Sequence, residues 1–342
     1  MPYPSDYSEV GSGFKPFRAF AVFDFLDNTM TVLEISAAYA ADLLFGDPSG
    51  YPHPVKLIGR AISFFEKRLV PWAQTPRMQR FSGIILAVTI VFGAGIMTWA
   101  IIRMAAWVHP VLSSIAVIFF AYTTLATRNL YDEPRKVIRA LEQGDLNLAR
   151  EKVGFLVGRD TDRLDEKEIC RALIETVSEN TSDGIVAPLF YLIIGGPPLA
   201  MAYKALNTLD SMVGYRNDRY RYLGWASARG DDLANLIPSR LTALIFILSS
   251  FILGKNWRGA WRATWRDGRN NPSPNSGYPE AAMAGALGVQ LGGKNIYFGR
   301  VEEKPLIGES ERSIDRTVAK ESLHLMIINS LIAVIVTILI IV

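Results

Sequence analysis

The string Glu175-Thr176-Val177-Ser178-Glu179-Asn180-Thr181-Ser182-Asp183-Gly184 runs directly into an uncharged block at 185–203. Glu175 and Glu179 stand four residues apart and share a face if one helix carries both. Two carboxylates on one face suit Mg2+, which takes oxygen ligands. The same string also reads as a helix end with solvated acids and an Asp-Gly turn. Lys204, Asn207 and Ser211 then fall on one helical stripe, with Asp210 beside Asn207. An ammonium, an amide and a carboxylate that converge in this way can hold a phosphate and a metal ion. Asp231 and Asn235 stand at i and i+4 with Asp232 flanking them, a spacing that can present Mg2+ to phosphate oxygens. Each string alone is an ordinary polar helix face. Together they lie beside apolar segments, where ionisable groups are costly and mark function.

Two loops rich in turn formers could hold a side chain for a ligand or simply connect elements. One runs from Gly46-Asp47-Pro48 to Pro52-His53-Pro54. The other is Asn271-Pro272-Ser273-Pro274-Asn275-Ser276-Gly277-Tyr278-Pro279-Glu280, ahead of the small-residue run 281–293. Prolines fix φ and remove donors, so both loops are stiff. No Walker phosphate loop, GxSxG elbow or HExxH helix is present. The single cysteine, Cys170, rules out an intrachain disulfide and a cysteine-based metal site, and three histidines are too scattered for a His-based one.

The elements that must position these groups are helical and largely apolar. The block 83–102 is uncharged, as is 104–127 apart from His109, with Arg103 between them. That pattern predicts a membrane hairpin with a very short turn, since a span needs roughly 20 apolar residues. The uncharged block 325–342 predicts a terminal span. Segments 28–46, 185–203 and 241–254 are more ambiguous. The first carries Glu34 and Asp42, the second is broken by Gly195-Gly196-Pro197-Pro198, and the third is short. The Gly-Gly-Pro-Pro break frees backbone groups that lipid does not tolerate, which favours a segment facing protein or water.

Between the spans, Pro134 is expected to open a helix that Gly144 closes, Asp145 to cap a helix over 146–157, and Asp165 to cap one running to about Asn180. These form a small soluble helical insertion over 128–184. The first 30 residues and 293–313 read as irregular surface segments, and no signal peptide is expected. Trp257, Trp261 and Trp265 share one helical face with arginines beside it, an arrangement suited to the membrane interface.

The chain has 342 residues, 50% of them hydrophobic, and a net charge of +3, too little basic excess for a nucleic-acid binder. The polar regions 47–82, 128–184, 204–240 and 255–324 are all rich in Lys and Arg. If 185–203 and 241–254 both cross, region 204–240 lies outside despite its six basic residues. If neither crosses, all four regions share one side, which the Gly-Gly-Pro-Pro break favours. The fold class expected is all-α: a polytopic membrane protein with four to six embedded helices and a polar helical layer on the cytoplasmic face. Residues 1–31 form an N-terminal extension and 32–342 a single domain.

Five strings occur in order: GDPSGYPHPVKLIGR, SENTSDGIVAPLFY, YKALNTLDSMVGYRNDRY, ARGDDLANLIPSR and SPNSGYPEAAMAGALGVQLGG. Together they resemble the adenosylcobinamide-phosphate synthase family of cobalamin biosynthesis, the CobD/CbiB type, over roughly residues 32 to 310. The resemblance implies an integral membrane ligase of the cell membrane. The family amidates the propionate of adenosylcobyric acid, a corrinoid, with aminopropanol or its phosphate, using ATP and Mg2+. Partners are then the corrinoid, the amine and the lipid bilayer, with a homo-oligomer left open.

Amide formation from a carboxylate needs prior activation, as an acyl phosphate, and basic groups to hold the transferring phosphoryl. In that chemistry Glu179, Asp183, Asp231 and Asp232 are expected as metal ligands or base, with Glu179, Asp231 and Asp232 as the Mg2+ set. Lys204 and Arg240 would contact phosphate or the substrate carboxylate. Asn180, Asn207, Asp210, Asn235, Ser273 and Asn275 would bind substrate by hydrogen bonds. His53 is placed as a general base or as an oriented structural histidine. The competing readings are a corrinoid-binding transporter, which would use the broken segment to bind substrate, and a membrane scaffold. An ATP-dependent covalent product separates the ligase from both.

Overall fold

The computed structural model describes residues 30–47, 50, 53–69, 71, 74–215, 219–297 and 299–342; the expected N-terminal extension lies outside these except for its last two residues. Helix α1 (Val32–Phe45) begins with a capping box in which Thr31 and Glu34 satisfy each other's backbone groups. After α2 (Pro54–Leu69), α3 (Pro76–Val108) and α4 (Pro110–Thr124) form the long apolar hairpin. Its turn lies at His109, not at Arg103. His109 Nδ1 accepts from Val111 N and Pro110 takes the first helical position, so the cap sits there. Arg103 stays within the helix, its guanidinium 5.9 Å from the Trp99 ring centre.

Helix α5 (Thr127–Glu142) starts seven residues before Pro134, which lies inside it. The reason is tertiary: buried Asp42 accepts from Thr127 N at 2.8 Å and fixes the helix start from α1. Gly144 then adopts φ +75 just beyond the end of the helix. Asp145 caps α6 (Leu146–Gly154) and Asp165 caps α7 (Glu166–Thr181), both as the sequence predicts. Helices α5, α6 and α7 share one continuous hydrophobic core with the last four helices of the chain.

A single π turn, Ser182–Val186, joins α7 to α8 (Ala187–Val213). Gly196 in the middle of α8 has φ 62 and ψ −163, backbone accessible essentially to glycine alone. The chain reverses there. A straight helix would hold residues 24 apart about 36 Å from each other, yet Asn207 donates to Asp183 across 3.2 Å. The rings of Tyr191 and Tyr203 stack with centres 4.8 Å apart. The stretch 185–203 therefore enters and returns on the same side, with Gly195 to Pro198 buried at the tip.

The remaining helices are α9 (Trp225–Ala234), α10 (Leu236–Ile252), α11 (Trp257–Asp267), α12 (Gly277–Leu287) and α13 (Arg316–Ile341). The three tryptophans of α11 are exposed along one face. By length and composition four helical runs could cross a membrane: Pro76–Val108, Pro110–Glu142, Glu166–Val213, which doubles back at Gly196, and Arg316–Ile341. The bent pair α9–α10 would make five. The fold is a helical multi-pass membrane type, as expected.

One element departs from an all-helical fold. Strand β1 (Leu291–Tyr297) pairs antiparallel with β2 (Arg300–Ile307), where the sequence reading expected irregular chain. The turn carries Gly299 at φ +74, and Arg171 of α7 donates to the backbone oxygen of Lys294 at 2.9 Å. Tertiary contact of this kind stabilises a hairpin whose short, charged strands give little local signal.

Candidate active site

The first cluster gathers where α7, the two limbs of α8 and α9 meet. One amide sits between two carboxylates: Asn207 Nδ2 donates to Asp183 Oδ2 at 3.2 Å and to Asp231 Oδ1 at 3.3 Å. Asn235, fully buried, donates to Asp231 Oδ2 at 3.0 Å and accepts from the Tyr203 hydroxyl at 2.9 Å. The helix spacing read from the sequence thus produces a real clamp, with Asn235 holding Asp231 and Tyr203 holding Asn235. Asp183 faces the charges of Asp231, Glu179 and Lys204. The Lys204 ammonium faces Asp183, Asp47, Asp231 and Asp42, but closes no ion pair among the described residues. Asp210 stands near Asp231, Asp232 and Glu179.

A second cluster joins the first through Glu179. Glu175 is buried and paired with buried Arg159, and its other oxygen accepts from Gly292 N at 2.9 Å. Glu280 of α12 accepts from Asn271 at 3.1 Å. Burial, then the charges of Glu175 and Glu179, push the Glu280 carboxyl well above its ordinary value. Lys304 reaches this group from β2. Burial alone would pull its ammonium down, but Glu280, Tyr297, Glu179 and Glu175 outweigh it and hold it above its ordinary value. Glu179 itself is exposed, within reach of the charges of Lys304, Glu175 and Arg159.

The other expected residues have mixed placements. His53 Nε2 lies 3.1 Å from Asp47 Oδ1, while its Nδ1 accepts from Val55 N at the start of α2; it stands behind Asp47 and outside the acid cluster. Asp232 turns away from Asp231, as consecutive helical residues do, and lies 3.7 Å from Arg229. Its backbone oxygen accepts from Asn275 at 2.7 Å. Arg240 donates to Asn275 Oδ1 at 3.0 Å and stacks 4.1 Å over Tyr278. Ser273 accepts from the backbone of Asn275 and Ser276 and shapes that loop. Asn180 is half-buried beside Glu179. Asp232 and Glu179 stand within electrostatic reach of Asp231, but among the described residues no three His, Cys, Asp or Glu side chains form a group that could hold an ion alone.

Sequence reasoning missed Lys304, Arg159, Glu280 and Tyr203 as site residues. Glu280 and Tyr203 sit inside the quoted strings, so their signal was present. Lys304 and Arg159 lie outside them and are found only through the fold.

The two clusters draw on every polar region of the chain. Asp47 comes from 47–82, Glu179 and Asp183 from 128–184, Lys204 and Asp231 from 204–240, and Glu280 and Lys304 from 255–324. The reversal in α8 brings the end of region 128–184 and the start of 204–240 together at this site. The His109 turn lies at the end of the α3–α4 hairpin.

Comparison with known proteins gives the same assignment. The family described as CobD/Cbib protein matches residues 35–326. The cobalamin biosynthesis protein CobD of Geobacter metallireducens is 51% identical over 292 residues, covering 85% of this chain and 91% of that one. The CobD of Listeria monocytogenes serotype 4b is 45% identical over 304 residues, covering 89% and 96%. The CbiB of Salmonella typhimurium is 43% identical over 305 residues, covering 89% and 95%. No solved structure matches the chain. With a match over most of its length and relatives of this similarity, the chain belongs to the CobD/CbiB family of cobalamin biosynthesis proteins.

Proposed function

We propose that this site joins adenosylcobyric acid to aminopropanol or aminopropanol phosphate in an ATP-dependent amide ligation, giving adenosylcobinamide or its phosphate. The observation that carries the reading is Lys204, an ammonium with no ion-pair partner among the described residues, facing two carboxylates clamped by Asn207. A free cation beside a surplus of fixed carboxylates suits a phosphate brought in with a divalent ion.

The substrate carboxylate attacks the γ-phosphorus of ATP, the bond to the bridging oxygen breaks, and ADP leaves. The amine nitrogen then attacks the acyl carbon of the acyl phosphate. The carbon–oxygen bond breaks, inorganic phosphate leaves, and the amine proton passes to a carboxylate. Lys204 binds the transferring phosphoryl, where a positioned cation is worth most. Glu179, which is exposed, accepts the proton. Lys304 and Arg159 keep the neighbouring acids from repelling the substrate.

Mg2+ fits Asp183 and Asp231, because this ion takes one or two protein carboxylates and fills its shell with phosphate oxygens and water. When bound it neutralises phosphate charge. Basic residues in all four polar regions support a cytoplasmic site in the cell membrane.

The test is a product assay in detergent with adenosylcobyric acid, ATP, Mg2+ and either amine, read by corrinoid mass. The reading expects an ATP-dependent gain of one condensed amine that Lys204→Met abolishes. Corrinoid binding without mass change, where a working relative gives product, would replace it with a carrier.

A further inference from the structure

We propose that a basic recess between α5 and α13 binds the phosphate group of an acidic phospholipid. The recess encloses about 280 Å3 and is lined by Tyr131, Arg135, Arg139, Glu142, Lys320 and His324, none of them placed in the active site. Lys320 already pairs with Glu142, the single carboxylate there. Arg135 and Arg139 therefore carry the surplus charge, and neither closes an ion pair among the described residues. The Arg135 guanidinium lies 5.5 Å from the Tyr131 ring centre, which orients it without neutralising it. Guanidinium groups match phosphate oxygens in pairs.

The position of the recess selects the source of the phosphate. His324 is the last polar residue before the uncharged run 325–342 of α13. Beyond it α13 exposes Leu331, Ile335 and Leu339, a strip on which acyl chains can lie. A tyrosine and several cations at the head of an apolar helix are what the headgroup level of a bilayer favours. Basic pockets between membrane helices bind acidic headgroups for the same reason. Inorganic phosphate shares the chemistry but has no use for the apolar strip.

The test uses the full chain in phosphatidylcholine nanodiscs, titrated with phosphatidylglycerol and, separately, with inorganic phosphate, and read by native mass spectrometry of retained adducts. The wild type is expected to retain phosphatidylglycerol. Each cation near the surface contributes about fivefold, so Arg135→Gln with Arg139→Gln is expected to weaken retention about 30-fold. Lys136→Gln, on the same helix but outside the recess, serves as the folded control and is expected to bind as wild type. Retention unchanged in the double variant overturns the site. Equal capture of inorganic phosphate, lost in the double variant, overturns the lipid source and leaves an anion site.

Discussion

Replacing Gly196 with alanine tests whether the fold of α8 is what builds the acid cluster. Gly196 adopts φ 62 and ψ −163, a region that an L side chain enters at about 1–3 kcal/mol. The substitution adds that strain directly, because Asp183 and Asn207 are bonded only if the two limbs run back together. Gly93→Ala supplies the opposite sign. Gly93 is inside α3, and nothing lies within 4 Å of a Cβ built there. Alanine at such a helical position stabilises by about 0.4–1 kcal/mol. Thermal midpoints of both variants, measured in one detergent at one protein concentration, are expected to move apart, Gly196→Ala downward and Gly93→Ala upward. Turnover of Gly196→Ala is expected to fall more than its folded fraction explains, since the clamp around Asn207 loosens. A Gly196→Ala protein as stable and active as the wild type would refute the reversal, and with it the account of how Asp183 and Asn207 are brought together.

Other expectations follow from individual residues. Burial raises the Asp42 carboxyl from 3.8 to about 6, so the folded state holds an extra proton between about pH 4 and pH 6, and stability falls as pH rises through that window. Asp42→Asn, which still accepts from Thr127 N, is expected to remove that dependence and to gain up to about 3 kcal/mol near pH 7.5 in denaturant titrations at several pH values. Arg159→Met leaves Glu175 buried without its cation and is expected to cost about 3–5 kcal/mol; a second change, Glu175→Gln, should return much of it in a double-mutant cycle. Asn207→Leu is expected to lower turnover at least tenfold, with a smaller change in midpoint, because it frees two carboxylates to repel each other; an unchanged rate would remove Asn207 from the site.

Much of the site is legible because helix periodicity is local. The i, i+4 relation of Asp231 and Asn235 predicts their bond, and the Lys204–Asn207 stripe does face Asp183. The Gly-Gly-Pro-Pro string signals a break for the same reason, since two prolines and a glycine at positive φ cannot continue a helix. What is not legible depends on partners far away in sequence. Pro134 looks like a helix start until Asp42, 85 residues earlier, is seen to cap Thr127. The β1–β2 hairpin is short, charged and only partly apolar, so no alternation marks it, and Lys304 could not be assigned to the acid cluster without it. Asp232 shows the limit of reading adjacent acids as a pair, because neighbouring residues on a helix point in different directions.

The spread of the site along the chain has a consequence for synthesis. Glu175, Glu179 and Asp183 leave the ribosome and approach the membrane well before Glu280, Asn271 and Lys304 exist. During that interval the nascent chain holds several acids beside its apolar hairpin without their closing lysine. The second cluster cannot be complete until the β hairpin has been translated and has docked on α7. A chain truncated before residue 304 should therefore insert and yet stay inactive and open to proteolysis.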